Sequence, residues 1–267
     1  MKTRIHTYLT VAVALAAVMV PAVAKAAEAT VGTDVNSAYV WRGLTFNDGL
    51  VIQPSVDVAH PAGFAVNTWG NYDIGDYNGA VEENEFSEVD LTVSYSPPLD
   101  GPVSVTIGII EYLFPKEGNY TPEIPEGHPA VEPKKDGDTR EIFLSVGGEV
   151  GGLAIGVDGY YDIDEVEDYY LSGSIAYGVP LTEELALEAG ASIGYAGKDF
   201  AEFYAGGTDG GFFDWSASLA ASYAVPQAEG VELGAFITYV SNVDDEVLPD
   251  DATDTEVFGG GSVYYSF

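Results

Sequence analysis

Single acidic residues recur at alternate positions within segments that are otherwise apolar or small. Asp73, Asp90 and Asp214 are clear examples, each in a run that alternates large apolar with small or polar side chains. Because alternate residues of a β-strand point to opposite faces, such acids share one face of a sheet. Carboxylates that line an enclosed face favour cations over anions. The same pattern adds the following acids to that face: Asp34, Asp57, Glu88, Glu141, Asp158, Asp162, Glu188 and Glu232.

Arg42 is the one cation that the pattern confidently places on this acidic face. A guanidinium among carboxylates is expected to pair with one of them, and Asp57 on the neighbouring predicted strand is a candidate. Arg42 could be a constriction charge that orients solutes or a bridge that holds strands together, and the bridge is the favoured interpretation. Arg140 falls on the opposite row at a strand end, and Glu111 would join the acidic face only through a β-bulge.

Histidine and cysteine are too scarce to favour catalysis. The chain has no cysteine, and after removal of the predicted leader only His60 and His128 remain. His60 precedes Pro61 in a predicted turn and His128 lies in a Pro-rich loop, so neither accompanies a nucleophile on a rigid strand. We therefore predict no enzymatic activity, no catalytic residue and no cofactor, with a membrane hydrolase as the least favoured alternative.

Two acidic loops, residues 82–85 and 244–254, offer the oxygen ligands that Ca²⁺ and Mg²⁺ prefer. Neither loop has the spacing of a recognised calcium-binding loop. A solvated loop is the favoured interpretation, no defined metal site is predicted, and weak divalent-cation binding at these loops is the alternative.

The overall charge is strongly negative. The chain has 43 Asp and Glu against 9 Lys and Arg, which gives a formal net charge of −34 over 267 residues. Nucleic-acid binding depends on basic contacts to phosphate, so this composition excludes it. Adaptation to a saline or cation-rich setting would also account for the acidity, because mobile ions screen self-repulsion. The acidity could thus reflect either function or adaptation to the environment, and the sequence leaves both explanations open.

The elements that position these acids are strands. Helical periodicity is essentially absent, whereas alternation over about ten residues recurs, most clearly at 185–195 and 213–225. Segments of this length with one apolar face are typical of membrane β-barrels, whereas strands of soluble sandwiches are usually shorter. We predict an all-β, antiparallel up-and-down transmembrane β-barrel of twelve strands, with ten or fourteen as alternatives. The predicted strands are 30–41, 50–59, 63–74, 85–96, 103–114, 140–149, 152–163, 168–179, 185–196, 211–224, 231–242 and 255–267.

The predicted connections alternate in length, as they do in outer-membrane barrels. One set is short and rich in turn residues: 60–62, 97–102, 150–151, 180–184 and 226–230. The other set is mostly long and acidic: 75–84, 115–139, 197–210 and 243–254. Two connections on the long side, 43–49 and 164–167, are short and fit the scheme least well.

Both ends of the chain fit an exported barrel. Residues 1–26 combine a basic start, the apolar run 11–20 and small residues before Ala26, the pattern of a cleaved signal peptide. Residues 27–267 then form one barrel domain. The last predicted strand ends on Phe267, and a terminal aromatic resembles the closing strand of bacterial outer-membrane barrels. Closure of the barrel by pairing 30–41 with 255–267 is expected, since an unpaired edge in a bilayer would be costly.

The amino-terminal half carries a family resemblance. The stretches Ser37-Ala38-Tyr39-Val40-Trp41-Arg42-Gly43, His60-Pro61-Ala62-Gly63-Phe64 and Thr68-Trp69-Gly70 resemble the pattern of TorF-type porins. The resemblance covers roughly residues 30–115 and implies an outer-membrane barrel with no solute firmly assigned to it.

From these patterns we predict a passive channel for small polar or cationic solutes in the outer membrane of a Gram-negative-type bacterium. Its expected partners are outer-membrane lipid, lipopolysaccharide, the solutes and the barrel-assembly machinery, which would recognise Phe267. A non-conducting structural or adhesive barrel is the main alternative.

Overall fold

The structure is a computed structural model that describes residues 27–77, 81–115 and 137–267. The predicted signal peptide, His128 and most of the predicted loop 115–139 lie outside these residues. No helix in the described ranges has the length and apolarity needed to cross a bilayer. The described elements are β1 (Glu28–Asn36), β2 (Tyr39–Trp41), β3 (Leu44–Asn47), β4 (Val51–Ala59), β5 (Phe64–Asp73), β6 (Glu85–Tyr95), β7 (Val103–Leu113), β8 (Thr139–Val150), β9 (Leu153–Asp162), β10 (Tyr169–Pro180), β11 (Leu185–Ala196), α1 (Lys198–Ala205), β12 (Gly211–Ala224), β13 (Val231–Asn242), a 3₁₀ turn (Asp250–Ala252) and β14 (Val257–Ser266).

Twelve of these strands close into one antiparallel barrel in the order β1, β4 to β14, and back to β1. The predicted fold class is confirmed. Eleven of the twelve predicted strands agree with the observed bounds to within two residues, because a half-buried strand in a barrel wall needs the alternation that the sequence shows.

The barrel closes between its first and last strands. Thr30 pairs with Ser266, and the register continues to Asn36 opposite Gly260. The amide of Phe267 donates to the Ala29 carbonyl at 2.9 Å, which extends the pairing by one residue. The expected closure is therefore confirmed over the residues that β1 contains.

The first strand is shorter than predicted. β1 ends at Asn36, and the chain then leaves the wall to form a separate two-stranded hairpin, β2–β3. The predicted extension of this strand to Trp41 and the short connection 43–49 were both wrong. Tyr39 to Trp41 do form a strand, but their partner is β3 rather than the barrel wall.

The two faces of the wall differ in chemistry. Large apolar side chains point outward and stay exposed, for example Leu219 at 62%, Val157 at 57% and Ile237 at 53%. Alternate positions carry small or polar residues on the inner face, such as Ser192 and Ser216, whose hydroxyls lie 2.8 Å apart. This division confirms the alternation on which the strand prediction was based.

The connections define two rims. The turn rim holds the ends of the barrel wall, Glu28 and Phe267, and the short connections 60–63, 96–102, 151–152, 181–184 and 225–230. The loop rim holds the connections 37–50, 74–84, 114–138, 163–168, 197–210 and 243–256, and its segment 116–136 lies outside the described residues.

The main buried apolar cluster lies at the loop rim, and we call it the mouth cluster. It joins the hairpin, α1, three strand ends and two loops. Its members are Leu44, Val166, Tyr170, Ala196, Phe200, Ala201, Tyr204, Ala205, Phe213, Val247 and Leu248, with Trp41, Phe46, Tyr160, Phe203 and Ala252 packed against them.

Helix α1 lies within the predicted connection 197–210, where the sequence shows no clear helical periodicity. It is only eight residues long and buries Phe200, Ala201, Tyr204 and Ala205. Gly206 ends it in a left-handed conformation, with φ of 70°. An isolated helix this short is unstable in water, so its packing into the mouth cluster must stabilise it.

Candidate functional site

The hairpin β2–β3 places a cation within the barrel mouth. Its strands are joined by Arg42 and Gly43, which both have positive φ, 48° and 81°. Trp41 pairs with Leu44 across this two-residue turn, the arrangement that favours glycine. Gly43 is required for a second reason, because a Cβ there would lie 2.6 Å from the Asp214 Cβ and 2.9 Å from Leu248.

Arg42 is buried at the tip of the hairpin and paired with Glu141 of β8. Its Nη1 and Nη2 donate to Oε1 and Oε2 of Glu141, both at 2.7 Å. The exposed fractions of the two side chains are 8% and 1%. Burial alone would lower the pKa of Arg42, but the facing Glu141 carboxylate outweighs it, so the pKa is raised and the charge is retained.

Aromatic rings enclose the same guanidinium. Its Cζ lies 4.2 Å from the ring centroid of Trp41, 4.3 Å from that of Tyr160 and 4.5 Å from that of Tyr170. Tyr112 donates to Glu141 Oε2 at 2.9 Å and so completes the acceptor side. A desolvated cation gains most from aromatic faces, so this cage and the carboxylate together hold the hairpin across the mouth.

Polar contacts hold the base of the hairpin against the wall. The Tyr39 hydroxyl donates to Glu88 at 2.8 Å, and the Asn47 amide donates to Asp73 at 2.7 Å. Asp73 also accepts from Asn71 at 2.9 Å. These buried carboxylates therefore position the hairpin rather than face an open passage.

The loop that precedes β14 holds the tip from the far side. The Thr253 hydroxyl donates to the Gly43 carbonyl at 2.8 Å, and the Thr255 amide donates to the Thr45 hydroxyl at 2.9 Å. Helix α1 contributes Phe200, whose ring centroid is 6.0 Å from that of Trp41. Three separate connections thus meet at one point of the mouth.

A second buried pair lies in the adjoining wall. Tyr170 of β10 donates to Oδ1 of Asp214 on β12 at 2.6 Å. Gly194 of β11 lies between them, where the register shifts, and a Cβ there would collide with the Tyr170 hydroxyl and the Asp214 carboxylate. The sequence analysis did not single out Gly194, although a glycine inside an alternating strand is a signal of close approach.

A cavity of about 420 Å³ lies beside the hairpin tip. Its wall includes the carboxylates of Asp158 and Asp214 and hydroxyl groups from four consecutive strands, β10 to β13. The rest of its lining comes from the hairpin, from β7 and from β14. The lining residues are Val40, Trp41, Arg42, Gly43, Ile110, Tyr112, Asp158, Tyr160, Tyr170, Ser172, Ser192, Asp214, Ser216, Thr238, Val240 and Phe258.

The predicted site residues divide by their surroundings. Asp73, Glu88, Glu141, Asp162 and Asp214 are buried. Glu188 and Glu232 are exposed, and both lie close to the turn-rim ends of their strands. Asp34, Asp57, Asp90 and Asp158 are partly exposed. The structure brings Arg42 together with Glu141, and brings Asp158 and Asp214 to the cavity.

Several of these acids have partners that the sequence did not indicate. The candidate pairing of Arg42 with Asp57 was wrong, because Asp57 accepts from Asn67 at 2.7 Å while Arg42 reaches across to Glu141. Asp34 accepts from Tyr264 at 2.6 Å. Asp162 accepts from Thr139 at 2.5 Å and from backbone amides of the turn that follows it.

The remaining chemistry-bearing residues have local contacts. Arg140 pairs with Glu111 at a strand end, where their side chains are 39% and 32% exposed. His60 accepts the Ala62 amide at 3.1 Å within a turn. Asp245 and Asp250 accept from Asn242 at 2.8 and 2.9 Å. Among residues 27–77, 81–115 and 137–267, no group of three His, Cys, Asp or Glu is arranged to hold a metal ion. Weak divalent binding at the loops stays a prediction.

A closed barrel with polar and acidic groups on its inner face has the fold of porins. The chain belongs to the family described as bacterial protein of unknown function (Gcw_chp), which it matches over residues 22–248. This match does not bear on the narrower TorF-type resemblance. No curated protein matches the chain.

Solved porins are similar in fold. The structure titled "KdgM porin" has a TM-score of 0.54 and 11% identity, over 89% of this chain and 99% of that one. The structure titled "KdgM porin in complex with disordered oligogalacturonate" has a TM-score of 0.53 and 10% identity, over 90% and 99% of the two chains. At this identity the likeness concerns the fold.

Proposed function

We propose that the protein is an outer-membrane channel for passive diffusion of small polar or cationic solutes, with the hairpin β2–β3 acting as a plug at the loop rim. The proposal rests mainly on one observation. The inner face carries many carboxylates, and Arg42, its one cation among the described residues, is already neutralised by Glu141. Such an interior favours cations.

The outer face supports a bilayer location. Its exposed apolar band is flanked near both rims by aromatic side chains, which suit the boundary between lipid tails and headgroups. Near the turn rim these are Phe64, Tyr177, Tyr223, Tyr265 and Phe267, and near the loop rim they are Phe86, Tyr161, Tyr169, Phe212, Trp215 and Tyr239. Lipid and lipopolysaccharide are therefore proposed partners, and the TorF-type resemblance of residues 30–115 agrees with this location.

The mouth cluster gives a specific reason to keep a second candidate. Its aromatic residues occupy the loop rim, so the barrel could be a non-conducting structural protein in which the plug never leaves. The two candidates differ in whether the hairpin can be displaced, and bilayer conductance distinguishes them.

Cation preference is expected to depend on three inner acids without partners. Asp158, Glu188 and Glu232 make no hydrogen bond or ion pair within the described part of the chain. In planar bilayers under a salt gradient, reversal potentials should show cations passing more readily than anions. The combined change Asp158→Asn, Glu188→Gln and Glu232→Gln should move the permeability ratio towards unity. The preference should also shrink at high salt, as the screening length falls from about 10 Å at 0.1 M to about 3 Å at 1 M.

A matched control removes the same charge from the turn rim. Asp100→Asn, Glu183→Gln and Glu229→Gln change three exposed turn residues and should leave the reversal potential nearly unaltered. An anion-selective pore would contradict the proposal. So would the absence of conductance from folded wild type and from a variant with a weakened plug, and that result would support the structural barrel.

Assembly is expected to depend on the terminal aromatic. Phe267 is 65% exposed on the outer face and its ring centroid lies 5.4 Å from that of Tyr265. Phe267→Ala should lower the yield of folded barrel in the outer membrane several-fold, because a terminal aromatic of this kind would be recognised by barrel-assembly machinery. Heat-modifiable mobility of membrane fractions on gels measures this yield.

Phe64 supplies the control for that experiment. It is 60% exposed at the same rim and contacts Tyr95 with ring centroids 4.7 Å apart. Phe64→Ala should reduce the yield little. Equal losses in both variants would show that any interfacial aromatic matters equally, and would remove the special role proposed for Phe267.

A further inference from the structure

We infer that the cavity beside the hairpin tip binds a small solute that carries both an ammonium group and several hydroxyls, the class to which amino sugars belong. This inference rests on the proposed channel function and assigns a solute class to it. It is carried by the carboxylates, the hydroxyl row and the neutralised cation that meet around about 420 Å³.

The Asp158 carboxylate favours a cationic ligand. It lies on the inner face of β9 and lines the cavity, and within the described residues it has no hydrogen-bond or ion-pair partner. Asp214 lines the same cavity and accepts from Tyr170. A protonated amine placed against Asp158 would form a charge-assisted hydrogen bond, the stronger kind in a sheltered site.

A row of hydroxyls follows the wall next to Asp158. Ser172 pairs directly with Asp158 across β9 and β10. Ser192, Ser216 and Thr238 continue the row on the next three strands. Each hydroxyl can both donate and accept, so the row can bind a ligand with several hydroxyls in more than one orientation. Ser192 and Ser216 already lie within hydrogen-bond distance of each other, so a ligand hydroxyl would join or replace that bond, whereas a purely alkyl cation would make no hydrogen bond to the row.

The hairpin side of the cavity offers an anion no unbalanced positive charge. Arg42 borders the cavity, but both of its terminal nitrogens already donate to Glu141. An anionic sugar would therefore meet Asp158 and Asp214 with no free positive charge on this side. Trp41 and Tyr160 present aromatic surface of the kind that packs against apolar ring faces. The volume lies within the range of small-molecule sites and accommodates a monosaccharide.

Three probes that share one ring test the inference: glucosamine, glucose and glucuronate. Trp41 borders the cavity, so binding to purified detergent-solubilised protein should change tryptophan fluorescence, and calorimetry provides a second readout. At mildly acidic pH, where the amine is protonated, the affinity for glucosamine should exceed that for glucose by about tenfold or more. One charge-assisted hydrogen bond accounts for a difference of this size. Glucuronate should bind more weakly still.

Asp158→Asn should abolish the difference between glucosamine and glucose, whereas Asp100→Asn, a change in an exposed turn, should preserve it. Equal affinity for glucose and glucosamine in the wild type, or tighter binding of glucuronate, would overturn the inference. Unchanged preference in Asp158→Asn would also overturn it. Gel mobility before and after heating verifies that each variant is folded.

The outcomes also separate this inference from the proposed function. Cation-selective conductance without glucosamine binding would reject the amino-sugar site and leave the channel in place. Glucosamine binding that depends on Asp158, in a barrel that never conducts, would reject passive diffusion while supporting the site.

Discussion

Replacing Glu141 with alanine should unplug the barrel. The change leaves the Arg42 guanidinium buried without its counter-charge, which costs about 3–5 kcal/mol. Arg42 would reach water if the hairpin left the mouth. The barrel wall should stay intact in this variant, because the backbone pairing of β8 with β7 and β9 does not depend on the Glu141 side chain. The closed-to-open equilibrium should therefore shift by roughly a hundredfold or more. Planar-bilayer recordings should show larger conductance and longer open times.

Glu111→Ala is the matched control, because Glu111 also holds an arginine through two contacts. That pair, with Arg140, lies at a strand end and is about one-third exposed. Exposed pairs contribute about 0–1 kcal/mol, so this variant should record like the wild type. Identical recordings from Glu141→Ala and wild type would show that the pair does not hold the plug.

Gly194→Ala should destabilise the wall where it borders the mouth cluster. The added methyl would occupy the space of the Tyr170 hydroxyl and the Asp214 carboxylate. Overpacking of this kind costs about 1–3 kcal/mol, and displacing the Tyr170–Asp214 hydrogen bond costs roughly another 1.5–3 kcal/mol. The midpoint of urea unfolding, followed by tyrosine fluorescence or near-ultraviolet circular dichroism, should fall.

The control is Gly178→Ala, on the inner face of β10. Its added Cβ would have an ordinary contact, 4.0 Å from the Leu187 carbonyl. Alanine in a strand loses less conformational entropy on folding than glycine, so this variant should be as stable as the wild type or slightly more so. Comparable loss of stability in both variants would mean that the close approach at Gly194 is not responsible.

The barrel could be predicted from sequence because its constraint is local and repeated. Each wall strand, such as β12 or β13, faces apolar surroundings on one side and polar surroundings on the other. The alternation of its own residues therefore indicates that it belongs to the barrel wall. Closure followed from the requirement that no strand edge be left unpaired. The placement of the acids on the inner face followed from the same alternation.

The plug could not be predicted in this way. Tyr39 to Trp41 alternate as a wall strand does, and nothing local shows that their hydrogen-bonding partner is β3. Arg42 and Glu141 are 99 residues apart, and a strand pattern gives the face of a residue but not its partner across the lumen. Helix α1 is too short for its periodicity to be distinguished, and its stability comes from contacts with distant segments.

The contacts that complete the mouth join segments that are far apart in the chain. The Thr253 hydroxyl and the Gly43 carbonyl are 210 residues apart in sequence, and the pairing of β14 with β1 is what brings their two connections side by side. Ordering contacts of such separation carries a large loop-closure cost until the wall itself brings them together. Each newly made molecule should therefore first form a closed barrel without its plug, and the hairpin should take its place in the mouth last. A hairpin bound in the mouth would then indicate that the wall is complete. A barrel that fails to pair β1 with β14 would keep its mouth open.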